Sequence, residues 1–424
     1  MARYSIMMIV GWLLVGNLED LSAKQSNPEM RSKMSIASPP KQLVTVDNRL
    51  VAANTQFSFK LFDRLAKQGY ARREAGKNIF ISPASVALAL AMIYNGAGGE
   101  TQEAMASALA LQGMSLPEIN QAQAALRAML ASTDPKVQLT IANSLWARKG
   151  VAFKPEFLKR NQDFFAAKIT NLDFALPGAT ATMNEWVNQQ THGKINKIVD
   201  TIPSDAILYL INAIYFKGNW SAQFDKTKTK DGRFTLLNGA KKKHPLMSQS
   251  GRFRYFENEK FQAISLPYGN GRMSLYVFLP NKNSDLNTLQ ADLSAAKWES
   301  WMSQFRSTEG SIVLPRFKLE YEMVLNQALK ALGMEAAFDP QRANFAAMCS
   351  TSPGANVFIG EVKHKTFVEV NEEGTEAAAV TSGGMRVTAF IPPFTMIVDR
   401  PFFGAIRDDQ TGTILFMGTI VDPK

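Results

Sequence analysis

The chain has 424 residues, 46% hydrophobic and 20% charged, an ordinary globular balance with ample material for a core. Cys349 is the only cysteine, so no internal disulfide can form and nothing depends on an oxidising compartment. The net charge of +10 marks a basic protein with weak affinity for polyanions at most, because the densest cluster, Lys241-Lys242-Lys243-His244, lacks interleaved aromatics and reads as a solvated turn rather than a nucleic-acid surface.

The N-terminus has the layout of a secretory signal peptide. Arg3 precedes an apolar run from Ile6 to Val15, then polar Asn17-Leu18-Glu19-Asp20, and Leu21-Ser22-Ala23 is a passable cleavage site. Residues 1–23 are therefore expected to direct export, to a secreted, extracellular or periplasmic destination; the other readings are an uncleaved anchor or a poorly ordered tail. The run falls short of the ~20 apolar residues of a membrane span, so no stable membrane insertion is expected. Residues 24–48 are polar, with Pro28, Pro39 and Pro40, and read as a flexible linker. No strong linker follows residue 50. One large domain over 49–424 is preferred to the two or three that length alone would allow.

In that domain Phe57, Leu61, Phe62 and Leu65 share a helical face. Asn78-Ile79-Phe80-Ile81 reads as a short strand. Ser82-Pro83 opens a helix, with Ser as cap and Pro in the first turn, that ends at Asn95-Gly96-Ala97-Gly98-Gly99, where glycine relieves a left-handed stop. Helices follow from Thr101 to Leu109 and Pro117 to Leu130, a strand from Val137 to Trp146, and helices from Pro155 to Ala166 and Thr182 to Gln190. Residues 207–216 form a nearly continuous apolar run, a strand covered on both faces. Further strands are expected at 253–255, 263–267, 273–279, 312–319, 362–370, 402–407 and 414–420, with helices at 298–305 and 323–332. Helices gather early and strands late, which points to an α+β fold with more than one sheet rather than βαβ units.

Credible catalytic chemistry is absent from the sequence. The histidines are His192, His244 and His364, far apart in the chain, with no Gly-x-Ser-x-Gly elbow and no His-Glu-x-x-His pair. Gly96-Ala97-Gly98-Gly99-Glu100-Thr101 follows a helix rather than a strand, a weak phosphate cradle. Glu372 and Glu373 point apart in a strand and cannot share a proton. Residues Ala346-Ala347-Met348 before Cys349 read as packing, not as a nucleophile motif. No metal or cofactor is expected, and the chain reads as no enzyme.

The most telling segment is Glu372-Glu373-Gly374-Thr375-Glu376-Ala377-Ala378-Ala379-Val380, followed by Thr381-Ser382-Gly383-Gly384. A run of Ala and Thr on an exposed loop is odd unless the loop must later pack, since small side chains let an extended segment slide between formed strands. It resembles the hinge of the serpins, inhibitors that trap proteases by inserting their own loop into a sheet. The resemblance extends to Asn78–Ser85, Asn95–Thr101, Trp186-Val187 with Thr191–Ile195, Asn212–Trp220, Leu314–Phe317, Arg400-Pro401-Phe402 and Phe416-Met417-Gly418, in the family's order over about residues 50–424.

The resemblance implies a domain of three β-sheets and eight or nine helices with an exposed reactive-centre loop. It implies a monomer that binds a serine protease, elastase-like or subtilisin-like if family spacing places the scissile bond at Thr388-Ala389. Cleavage after Arg386 would implicate trypsin-like enzymes, and after Phe390 chymotrypsin-like ones. By alternation Thr375, Ala377, Ala379, Thr381, Gly383 and Met385 would face the core after insertion. By position, Ser82, Ser85, Asn212 and His364 look like a polar cluster beneath the sheet's centre. Trp220 looks like the aromatic at the loop's mouth, and Glu372 with Arg316 like a salt bridge there, where the family more often has lysine. No glycosaminoglycan activation is expected, because residues 117–130 carry only Arg127. A non-inhibitory serpin, serving as chaperone or binding module, is the alternative.

Overall fold

This computed structural model describes residues 3–10, 46–71, 76–131, 134–190, 193, 195–350, 356–372 and 393–424. Residues 24–45 of the expected linker lie outside them.

Strand β1 is Arg3–Val10 and helix α1 is Asn48–Ala71. Asp47 accepts from the Arg49 amide at 2.8 Å, so a carboxylate satisfies a free donor at the start of α1. Strand β2 is Ile79–Ile81, and α2 is Pro83–Tyr94 with Pro in its first turn. Ser82 does not cap α2: its hydroxyl donates to the Leu415 carbonyl at 2.7 Å. Nor does a left-handed glycine end that helix. Gly96 is required instead because a Cβ there would lie 2.7 Å from Met348 Cβ. The positive φ of 51° belongs to Gly99, at the start of α3 (Gly99–Ala108).

Helix α4 (Leu116–Ala131), strands β3 (Val137–Arg148) and β4 (Ala152–Phe153), helix α5 (Pro155–Phe165), strand β5 (Lys168–Leu172) and helix α6 (Ala179–Gln190) lead to β6 (Ala206–Gly218). Then come β7 (Lys230–Thr235), β8 (Lys241–Glu257), β9 (Phe261–Tyr268), β10 (Met273–Pro280), α7 (Leu286–Asp292) and α8 (Ala295–Met302). Strands β11 (Arg306–Pro315) and β12 (Phe317–Val324) precede α9 (Asn326–Leu329), which passes through a kink at Gly333 (φ 100°) into α10 (Glu335–Phe338). The chain closes with β13 (Cys349–Ser350), β14 (Asn356–Val370), β15 (Phe394–Ile397), β16 (Phe402–Asp408) and β17 (Ile414–Ile420).

The strands form three sheets: six strands in the order β12-β14-β1-β6-β3-β5, nine strands with the path β15-β11-β8-β9-β10-β16-β17-β2 and β7 beside β8, and the pair β13-β4. The main core lies between the two large sheets and the helices, and includes Phe57, Phe80, Leu90, Leu208, Phe278 and Phe416. A second cluster covers the other face of the six-stranded sheet. There Met183, Trp186 and Val187 of α6 pack on Trp146, Tyr209, Ile211 and Phe367.

Three expectations need correction. Residues 312–319 are not one strand: β11 pairs with β8 in the nine-stranded sheet, and β12 pairs with β14 in the six-stranded one. The crossing occurs at Arg316, whose amide donates to the Pro245 carbonyl at 3.1 Å. Apolar alternation runs through both strands and hides the change of sheet. The helix expected from Met323 starts later, because β12 continues to Val324. Lys241–His244 is no turn but the start of β8, paired with β7; Lys242 bonds Asp422 at 2.6 Å and Lys243 bonds Asp231 at 2.9 Å.

Strand β1 was not foreseen. Its apolar residues belong to the run assigned to a signal sequence, and nothing in that run distinguishes an h-region from a buried strand.

Candidate functional site

The site is the seam between β14 and β6 and its two fixed points. At the upper fixed point β14 ends at Val370 and the chain continues through Asn371 to Glu372. Glu372 is buried, its side chain only 1% exposed, and it lies against Arg316, which is 42% exposed. Arg316 Nε donates to Glu372 Oε1 at 2.7 Å and Oε2 at 2.6 Å, and the Thr229 hydroxyl also donates to Oε1. Burial pushes the Glu372 pKa up, but the guanidinium and the hydroxyl outweigh it and hold the carboxyl below its usual range. Trp220 is buried beside it and donates from Nε1 to the Asn371 carbonyl at 2.8 Å. Its ring stacks on Tyr268 at 4.3 Å, so the indole is fixed on both face and edge.

The second fixed point lies beneath the middle of the sheet. His364 of β14 and Asn212 of β6 are both fully buried. His364 Nε2 accepts from the Ser82 amide at 3.0 Å. Asn212 donates to Asn143 of β3 and accepts from the Ser85 hydroxyl. Asn143 donates to the Phe165 carbonyl at 2.7 Å, and the Thr366 hydroxyl donates to the Phe80 carbonyl. Burial depresses the imidazole pKa to about 3, so His364 is neutral. Its Nδ1 has no hydrogen-bond partner among the described residues.

The structure thus gathers Ser82, Ser85, Asn212 and His364 into one cluster, and Trp220, Arg316 and Glu372 into another. Thr229, Tyr268, Asn143 and Thr366 complete the two clusters, and sequence reasoning missed them. Asn143 and Thr366 lie in strands of mixed polar and apolar residues, so the sequence carries no signal that sets them apart. Residues 373–392 lie outside the described residues. The hinge residues Glu373, Gly374, Thr375, Glu376, Ala377, Ala378, Ala379 and Val380 are among them, as are the candidate bonds at Arg386, Thr388, Ala389 and Phe390.

Cys349 is buried, which pushes its thiol up to about 11 and leaves it a poor nucleophile. Among the described residues no group of three or more His, Cys, Asp or Glu side chains could hold a metal, and no helix is long and apolar enough to cross a membrane.

The polar cluster and the pinned strand end thus lie at two levels of the six-stranded sheet, where β14 and β6 flank β1. Residues 52–423 match the family model described as Serpin (serine protease inhibitor). The chain is a member of the serpin family. It is 35% identical over 387 residues to human leukocyte elastase inhibitor, covering 88% of this chain and 100% of that protein. Among solved structures, native tengpin, a thermophilic serpin, superposes with a TM-score of 0.78 at 32% identity, covering 89% of this chain and 95% of that one. Thyroxine-binding globulin in complex with thyroxine gives a TM-score of 0.77 over 88% of this chain and 99% of its own; at 24% identity it shows the shared fold alone.

Proposed function

We propose that this chain is a suicide-substrate inhibitor of serine proteases and not an enzyme. A target protease would cut the loop after Glu372 and become an acyl-enzyme. The freed strand would then enter the gap between β14 and β6. Because it stays joined to β14 through a hairpin, it would enter antiparallel to β14. About fourteen residues at roughly 3.3 Å each would carry the protease more than ~40 Å and distort its active site. Loop insertion is a general example of strand addition and switching.

The observation that carries this reading is the placement of Glu372. The carboxylate anchors the point where the Thr/Ala segment leaves the sheet, directly beside Trp220 at the top of the gap. The polar cluster lower down supports it, since Asn212 and His364 sit on opposite sides of the same gap.

The target is expected to be elastase-like or subtilisin-like, with cleavage at Thr388-Ala389. A panel of serine proteases scored for SDS-stable adducts with the chain lacking residues 1–23 tests the function, and mass spectrometry of the released fragment fixes the bond. Adducts with at least one protease are expected. Turnover of the loop without adducts across the panel would overturn the reading. It would favour the second one, a non-inhibitory binding module, for which the occupied gap described below is the specific support. Residues 1–23 are proposed to direct export, tested by N-terminal sequencing of protein recovered outside the producing cell.

A further inference from the structure

Strand β1 lies between β14 and β6, in the gap that loop insertion would use. Its residues Arg3–Val10 run parallel to β14, opposite Asn356–His364, and Ser5–Val10 run parallel to β6, opposite Ala206–Asn212. Each ladder shifts register once near Ser5–Met7. The strand ends at the polar cluster, with Val10 opposite both Asn212 and His364. Above that level, Lys365–Val370 and Ala213–Gly218 have no β1 partner.

We propose that the N-terminal segment is a built-in stopper of the insertion gap, so that the chain carrying it is held inactive and its removal or withdrawal arms the inhibitor. This rests on the inhibitory reading above and deepens it.

A strand in the middle of a sheet bonds on both sides, so β1 and an inserted loop compete for the same N–H and C=O groups of β14 and β6. Of each edge, only the upper six residues lie beyond the reach of β1. They would accept roughly 20 Å of strand, about half of what full insertion needs. A protease bound to the cut loop would stop near mid-height.

Two further features fit a displaceable occupant. The first is polarity: β1 is parallel to both neighbours, the pairing slightly less stable per residue, whereas the loop would enter antiparallel. The second is the unpartnered Nδ1 of His364. Neighbouring strands lie ~4.8 Å apart, so an intervening strand keeps Asn212 and His364 nearly twice that distance apart. With β1 gone, β14 and β6 can close, and Asn212 becomes the nearest polar side chain across the seam. The export-like layout of residues 1–23 supplies a means of removal, since cleavage after Ala23 would carry β1 away.

The test uses the full chain, purified unprocessed, against its variant Met7→Pro/Ile9→Pro, which removes two ladder donors from β1 without touching the domain. Hydrogen exchange of the unmutated chain should show amides 4–10 protected, and the double variant should lose that protection. The variant should also form SDS-stable adducts with subtilisin or elastase at least ~10-fold faster. The synthetic peptide RYSIMMIV, added in excess, should slow them again. Unprotected amides 4–10 in the unmutated chain, or adducts formed at equal, measurable rates by both forms, would overturn the stopper. If neither form makes adducts while amides 4–10 are protected and the peptide competes for the gap, the stopper stands and the inhibitory reading falls.

Discussion

Mild acid should loosen the sheet through one side chain, His364. Its imidazole is buried and neutral, with a pKa near 3 folded against 6.5 for the ordinary group. The unfolded chain therefore binds a proton below pH 6.5 that the folded chain refuses. The stabilisation from this difference is complete above pH 6.5 and is lost as pH falls from there towards 3. Each pH unit in that window costs about 1.4 kcal/mol, so going from pH 7 to pH 5 removes about 2 kcal/mol. With an unfolding entropy of about 2 cal/mol/K per residue over the serpin domain, the melting temperature should fall by roughly 2–3 °C from this group. Glu372, whose pKa is lowered from the ordinary 4.5, keeps its contribution between pH 7 and pH 5 and does not confuse that comparison. His364→Gln removes the titration while leaving an oxygen that can accept from the Ser82 amide. Thermal scans at pH 7 and pH 5, at one fixed scan rate, should show a shallower pH dependence in the variant by that amount. An unchanged dependence would refute the buried neutral imidazole.

Other perturbations have equally definite outcomes. Arg316→Ala leaves a buried carboxylate with Thr229 and its own backbone amide but no cation, so the Glu372 pKa should rise and stability should fall by roughly 1–3 kcal/mol, less than for a fully buried pair because Arg316 is part-exposed; denaturant titration at pH 7 measures it. Gly418→Ala would set a Cβ 1.9 Å from the Ile79 carbonyl oxygen, so β17 and β2 must part. A loss of at least ~1–3 kcal/mol or failure to fold is expected, read from melting and soluble yield. Ala377→Arg would place a charge at an inward position after insertion, turning inhibitor into substrate; a stable adduct formed by this variant would contradict the inward assignment. Cys349 should resist thiol reagents at pH 8 until the protein unfolds, given its burial and raised pKa.

Much of this architecture was legible because its signals are local. The apolar run of β6, the Pro-initiated helices α2 and α5 and the closing strand β17 follow from periodicity and breakers that need no distant partner. The clusters at the gap were legible through resemblance, not through composition: an alternating strand gives no hint that His364 would meet Ser82, 282 positions away. What escaped reading depends on long-range choice. Whether Arg316 continues a strand or crosses to another sheet is decided by which edges are vacant, and so is the fate of Arg3–Val10. The capping role expected of Ser82 failed for the same reason, since its hydroxyl is taken by Leu415 of a strand late in the chain.

Loop cleavage followed by melting reaches the main claim most directly. In the Met7→Pro/Ile9→Pro variant, whose gap is open, a cut between Gly374 and Pro393 should free a strand that enters with a ladder of about fourteen antiparallel residues, at ~1 kcal/mol per net hydrogen bond. The nicked protein should melt more than ~10 °C higher than the intact one and gain protected amides across 375–385. Equal melting temperatures, with no new protection in that stretch, would contradict insertion.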